Sequence, residues 1–287
     1  MKLIKSSIEN IEVINPHNGN PMSSDINVLL NLIYAHIALI GSSNTETSTH
    51  SASQFVAMLK ETKNYNLLAH GTVYLKIPYQ SWRYYNKYKL NTQCVSNSVP
   101  NNKFGRHGQV GPDEEGEDWY ITTTYKEIII NGWEDDLQYI CEPTENHEKR
   151  YTKKFIGDSN SLQKLGQYNG FTKTYKNDIE NEITYIIPNW VDIPEGNFVV
   201  YDDGGYWITT DEDDDIFDCG VTGANFWLAS LIKAEQMYYA LINTAKWTPE
   251  QAIQVLPKSL KTELIMTGFE SQWEPQLIKT MLLDGKK

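Results

Sequence analysis

His70 is the residue whose surroundings most suggest chemistry. It lies in the segment LLAHGT (67–72), where a helical pattern gives way to a strand pattern. Side chains and free backbone amides can meet at such a junction and bind an anion or a cofactor. The alternative interpretation is a structural histidine that interacts with the dipole at the C-terminus of a helix. The sequence therefore marks this junction as a candidate site.

The common signatures of catalysis and metal binding are missing. The sequence has no P-loop, GxGxxG, HExxH or GxSxG motif, so the usual phosphate, dinucleotide, zincin and hydrolase sites are not expected. The three cysteines, Cys94, Cys141 and Cys219, lack the CxxC spacing of structural zinc sites. We predict no metal site, and motifs alone name no catalytic residue.

The charge composition narrows the choice of partners. Lysine and arginine total 25 against 37 aspartates and glutamates, a net charge of −12, which argues against a nucleic-acid polymer as ligand. Only Arg83, Arg106 and Arg150 are arginines, the residue type that binds phosphate in a bidentate manner. The charged segment that holds His147 and Arg150 is interpreted as a surface cluster of ion pairs.

Hydropathy predicts a protein without membrane contact. No apolar run approaches the roughly 18 residues that a membrane helix needs. The first ten residues make a poor signal peptide. We therefore expect a cytoplasmic protein.

Apolar periodicity predicts the elements that must position these residues. Helices are expected at 26–40, 51–61, 134–141 and 224–246, from Thr248, and from about Gly268; strands are expected at 72–79, 119–124, 154–156, 182–187 and 262–266. Two strands at 197–201 and 206–210 form a hairpin across DDGG. Residues 91–118 have no apolar period and are predicted as a loop without secondary structure.

Together these elements predict an α+β fold in which an antiparallel or mixed sheet packs with long helices. We expect a single domain over residues 1–287, with loop insertions at 91–118 and at the hairpin 197–215.

Four segments carry a family resemblance. They are HGTVYL (70–75), CEPTENHEKR (141–150), EITYIIPNWVDIP (182–194) and TPEQAIQVLPKSLKTELIMTGFESQW (248–273). In this order they resemble the flavin-dependent thymidylate synthases, over most of residues 25–280. The resemblance implies a homotetramer that binds FAD and deoxyuridylate (dUMP) between subunits. Its reaction is the reductive methylation of dUMP to dTMP, with methylenetetrahydrofolate and NADPH as co-substrates.

The resemblance also implies site residues, although several family positions differ. The family's HxSxxEH turn falls on residues 64–70, so Asn64, Asn66 and His70, with Ser43 of an earlier loop, are the predicted flavin contacts. The family's RHR triplet falls on 166–168, which read Gly-Gln-Tyr, and the arginine before its leucine-proline pair falls on Ile253.

Between Phe155 and Glu182, where the family has its arginine-rich block, this sequence is shorter and its only cations are lysines. The lysines of the shortened interval are the predicted nucleotide-binding residues, because an ammonium supplies point charge without the fork of a guanidinium. They are Lys164, Lys173 and Lys176.

Three functional hypotheses remain open. The chain is a flavin-dependent thymidylate synthase, or it is a non-catalytic homologue that binds a nucleotide or pairs with an intact subunit. A third hypothesis, a ring-stacking module, depends only on the 8 tryptophans and 18 tyrosines.

Overall fold

The protein is described by a computed structural model over residues 1–11, 26–40, 51–78, 82–98, 118–176, 179, 182–200, 206–209, 216–218 and 223–273. The helices are α1 (Ile26–Ile40), α2 (Ala52–Glu61), α3 (Tyr65–Leu68), α4 (Trp82–Lys89), α5 (Tyr125–Ile130), α6 (Ser159–Leu165), α7 (Gly223–Asn243) and α8 (Pro249–Ala252), with 3₁₀ turns at Glu134–Tyr139, Ile253–Val255 and Glu270–Gln272. The strands are β1 (Lys2–Ile4), β2 (Ser7–Ile11), β3 (Thr72–Ile77), β4 (Val95–Ser98), β5 (Trp119–Thr124), β6 (Arg150–Asp158), β7 (Thr172–Lys176), β8 (Thr184–Ile186), β9 (Gly196–Val200), β10 (Tyr206–Thr209), β11 (Ile216–Asp218) and β12 (Lys261–Phe269).

The described strands form three sheets. The five-stranded sheet has the order β11-β10-β9-β1-β8 and is mixed, because β1 runs parallel to β8 and antiparallel to β9. The order is β2-β6-β12-β7 in the four-stranded sheet and β3-β5-β4 in the three-stranded sheet, and both are antiparallel. The predicted mixture of helices with antiparallel and mixed sheets is confirmed.

Tight packing fixes the junction between α3 and β3. The backbone N–H of His70 donates to Leu67 O at 3.1 Å, and the backbone N–H of Tyr125 donates to Gly71 O at 2.9 Å. Gly71 packs directly against α1, where a Cβ atom would lie 2.8 Å from Ile33 Cγ1. Only glycine therefore allows this approach without movement of the Ile33 side chain or of α1.

Several predicted elements need correction. Residues 95–98 are not loop but the strand β4, which pairs with β5. A strand at the edge of a sheet can be polar, because backbone hydrogen bonds to one neighbour hold it. The helix expected from about Gly268 is also wrong for the described residues. There β12 continues to Phe269 and a 3₁₀ turn follows. Residues 99–117 and those after 273 lie outside the described residues.

The hairpin prediction is confirmed. Strands β9 and β10 pair antiparallel, with Tyr206 opposite Val200. Whether 91–118 and 197–215 are insertions into one domain stays a prediction.

Candidate functional site

A cavity of about 250 Å³ lies beside the α3–β3 junction. Asn66 and Ala69 contribute to its lining from α3 and the residue that follows it, Lys126 and Glu127 from α5, and Thr172 and Lys173 from β7. Most of these side chains are polar or charged, so the cavity suits a polar ligand better than an apolar one.

Arg150 lies behind the wall of this cavity. Its NH2 donates to Ala69 O at 3.3 Å and to Thr172 Oγ1 at 3.5 Å, and its NH1 donates to Thr72 Oγ1 at 3.2 Å. The guanidinium carbon lies 5.4 Å from the centre of the Phe269 ring. Two of its hydrogen-bond partners, Ala69 and Thr172, line the cavity, so the guanidinium is separated from the cavity by one layer of residues.

The charge of Arg150 has no counter-ion within the described residues. The side chain is buried, no carboxylate pairs with it, and its Nε atom has no hydrogen-bond partner. Burial lowers the pKa of Arg150 to about 10. A buried guanidinium without an anion is unfavourable. The positive charge therefore favours an anion in the cavity.

Two lysines add positive charge, but they are not equivalent. The Lys173 ammonium donates to Gly166 O at 2.7 Å and also to Tyr168 O, so it ties β7 to the end of α6. Burial lowers the pKa of Lys173. Lys126 is half-buried and has no hydrogen-bond or ion-pair partner in the part of the chain that the structure describes. Lys126 is therefore the ammonium available to an occupant.

Glu127 is the acid of the cavity. The Thr124 hydroxyl caps α5 by accepting from the backbone N–H of Glu127 at 3.1 Å, which places Glu127 in the first turn. Its Oε2 accepts from Asn91 Nδ2 at 2.6 Å and from Asn131 Nδ2 at 3.1 Å. These amide groups hold the carboxylate in place.

His70 is buried, and both of its ring nitrogens have partners within the chain. Nδ1 lies 2.7 Å from Thr267 Oγ1, and Nε2 lies 2.9 Å from Thr174 Oγ1. Thr267 Oγ1 is also 2.7 Å from Thr152 Oγ1. The histidine therefore links the α3–β3 junction to three strands of the four-stranded sheet. A direct contact with flavin stays a prediction.

The structure brings two of the predicted site residues together. Asn66 and Lys173 both line the cavity, whereas Asn64 is exposed at the start of α3 and Lys164 is exposed near the end of α6. Lys176 lies opposite Glu263 in the register of β7 with β12. Ser43 lies outside the described residues.

The interpretation of segment 142–150 as a surface cluster is wrong for His147 and Arg150. His147 is only 4% exposed. The backbone N–H of Thr144 donates to its Nδ1 at 3.1 Å, so the proton is on Nε2, which donates to Leu75 O at 3.1 Å. Arg150 begins β6 and is buried as well. Charged neighbours in the sequence gave no information about which side chains point inward.

Lys126, Glu127 and Arg150 were missed as site residues. For the first two a signal existed: Thr124-x-x-Glu127 has the spacing of a capping box, which marks the start of a helix. For Arg150 no local signal existed, because its partners come from residues 69, 72 and 172.

Cys94 is no candidate nucleophile, although its neighbour Gln93 lines the cavity. Burial raises the pKa of Cys94 to about 12, and its Sγ lies 2.9 Å from Thr123 Oγ1. Since the thiolate is the reactive form, this thiol is unreactive at neutral pH.

Within the described residues, no group of three or more histidine, cysteine, aspartate or glutamate side chains is arranged to hold a metal ion. None of the described helices combines the length and apolar character needed to cross a bilayer.

Comparisons with known proteins leave the family open. No family model and no curated protein matches the sequence. Among solved structures, the chain is similar to the UMP/dUMP methylase PolB from Streptomyces cacaoi bound with 5-Br dUMP, at 9% identity and a TM-score of 0.34, over 95% of this chain and 76% of that one. The same methylase bound with 5-Br UMP matches at 9% identity and a TM-score of 0.33, over 94% and 75%. Similarity this low carries no argument about fold or activity.

Proposed function

We propose that this chain is a divergent homologue of the flavin-dependent thymidylate synthases that binds a pyrimidine nucleotide, dUMP, in the cavity beside His70. The observation that carries the proposal is the buried Arg150 guanidinium, which has no carboxylate partner among the described residues and lies directly behind the cavity wall. The phosphate of a nucleotide supplies the missing negative charge. Lys126 supplies a charge-assisted hydrogen bond.

The size of the cavity supports one small ligand. Pockets that hold drug-sized ligands measure about 300–1,000 Å³, and this cavity measures about 250 Å³. A nucleoside monophosphate fits a cavity of that volume if part of the ligand stays exposed to solvent. FAD is more than twice the size of a mononucleotide, so the cavity that the described residues of one chain form is too small for it. A flavin site would need residues of a neighbouring subunit, so we derive no chemical step through the flavin.

Calorimetric titration tests the proposal. We expect dUMP to bind the wild-type protein and Lys126→Met to weaken binding by about 10- to 100-fold, the effect of one lost charge-assisted hydrogen bond. Lys233→Met is the matched control, because Lys233 is exposed on α7 and does not line the cavity. The proposal fails if dUMP does not bind, or if the two variants weaken binding equally.

The second candidate is the complete reaction that the resemblance implies. In it the chain forms one domain, assembles as a cytoplasmic homotetramer, binds FAD between subunits and methylates dUMP with methylenetetrahydrofolate and NADPH. Ser43, Asn64, Asn66 and His70 would contact the flavin, and Lys164, Lys173 and Lys176 the nucleotide. One observation favours this candidate: Asn66, a predicted flavin contact, and Lys173, a predicted nucleotide contact, line the same cavity.

Purified protein distinguishes the two candidates. The complete enzyme is yellow, forms a tetramer in light scattering and converts dUMP to dTMP. A colourless protein that cannot be reconstituted with FAD, but still binds dUMP, supports the non-catalytic homologue. Mixing it with an intact relative then tests whether it serves as a subunit of a mixed assembly.

A further inference from the structure

Glu127 is an acid in a cavity whose other charges are positive. Glu127 is one of the residues that line the cavity, it is only 7% exposed, and no cation pairs with its carboxylate in the described ranges. Its Oε2 already accepts two amide hydrogen bonds, from Asn91 and Asn131. Its Oε1 accepts none from the described residues. A fixed carboxylate oxygen with a free lone pair favours a ligand that brings an N–H donor.

Pyrimidine rings differ in this donor. The uracil ring carries an N–H at N3, flanked by two carbonyl acceptors. The cytosine ring carries a lone pair at N3, which a carboxylate repels. A carboxylate with donors on either side therefore complements uracil and rejects cytosine.

We infer that Glu127 determines base specificity: its Oε1 accepts the N3–H of a uracil ring, while the amide of Gln93, another residue of the cavity lining, donates to a ring carbonyl and the Lys126 ammonium donates to the phosphate. This inference rests on the proposed binding of dUMP and adds the residue that selects its base. Glu127 is the specificity residue and Asn91 and Asn131 are positioning residues, because they fix its carboxylate.

The expected discrimination follows from one charge-assisted hydrogen bond. Such a bond increases the affinity for the ligand by about 10- to 100-fold. We expect dUMP to bind wild-type protein more tightly than dCMP by at least that factor. In Glu127→Gln the amide can either accept from the N3–H of uracil or donate to the N3 lone pair of cytosine. The affinities for dUMP and dCMP should therefore differ by no more than about threefold in this variant.

Calorimetric titrations of dUMP and dCMP into the full chain measure this preference. Glu145→Gln is the matched control, because Glu145 is exposed, does not line the cavity and undergoes the same change of charge. A test without mutation uses dUMP methylated at N3, which lacks the N–H. Wild-type protein should bind it at least tenfold more weakly than dUMP, so the inference remains testable even if Glu127→Gln does not fold.

The outcomes separate the inference from the proposal on which it rests. If no pyrimidine nucleotide binds, the proposed function fails. If dUMP, dCMP and N3-methylated dUMP bind equally well, nucleotide binding stands and the role of Glu127 is overturned. If Glu127→Gln keeps the full preference for dUMP, another group reads the base.

Discussion

Replacing Arg150 with methionine should weaken ligand binding without loss of stability. Burial lowers the pKa of Arg150 from 12.5 to about 10. At about 1.36 kcal/mol for each pKa unit, the charged form is disfavoured in the folded protein by roughly 3 kcal/mol. Because the folded and the unfolded chain are both protonated below pH 10, this cost is present at neutral pH and does not vary there.

Methionine removes the buried charge and keeps a side chain of similar length. The hydrogen bonds that it deletes do not strand Ala69 O, because the Thr172 hydroxyl still donates to that oxygen at 3.2 Å. We therefore expect the free energy of unfolding to stay unchanged or to rise, by at most roughly 3 kcal/mol. Urea unfolding followed by tryptophan fluorescence measures it.

Ligand binding should respond in the opposite direction. Across a separation of about 8 Å at an effective dielectric constant near 20, one charge pair contributes roughly 2 kcal/mol. The affinity for dUMP should therefore fall about 30-fold in Arg150→Met. Lys149→Met is the matched control, since Lys149 is the exposed neighbour of Arg150 in the chain.

A stability loss above about 1 kcal/mol with unchanged affinity would refute this reasoning. It would show that the guanidinium serves the packing of β6 and not a ligand. A parallel loss of affinity in Lys149→Met would point to general electrostatics instead of the cavity.

Three further predictions concern the frame around the cavity. Burial lowers the pKa of His147 below its usual value, so as the pH falls the unfolded chain binds a proton at this histidine before the folded protein does. The free energy of unfolding should therefore fall as the pH drops below 6.5, and it should depend less steeply on pH in His147→Asn. His70→Ala should cost about 1–3 kcal/mol in urea unfolding, because a buried ring loses two hydrogen bonds; an unchanged midpoint would contradict this. Gly71→Ala should cost about 1–3 kcal/mol, measured by thermal melting, because Ile33 must shift to admit the methyl group; an unchanged melting temperature would contradict this.

The sequence was informative where apolar residues repeat. Helices α1, α2 and α7 and strands β3 and β5 lie where periodicity predicted them. The expected helix starts at residue 51 and at Thr248 also hold: Ser51 and Thr248 each form a capping box in the structure. In these elements one face is buried, so burial leaves a periodic trace in the sequence.

Periodicity failed where polar side chains are directed inward. Strand β7 reads TKTYK, and its threonines bind His70 and Arg150 instead of packing in an apolar core. Such a strand has no apolar period, so hydropathy does not predict it. The candidate cavity combines α3, α5 and β7, which no local pattern connects.

The order of strands in the four-stranded sheet has a consequence for folding. Ser7 lies opposite Ile156, and Lys261 lies opposite Asp158, so the sheet joins segments that are more than a hundred residues apart. Strand β7 pairs with β12 in this sheet, and it can dock only after residues 261–269 have left the ribosome. Contacts so distant in sequence favour slow folding. We expect the wall that carries Thr172 and Lys173 to be among the last parts of the protein to form, and the nascent chain to need protection until then.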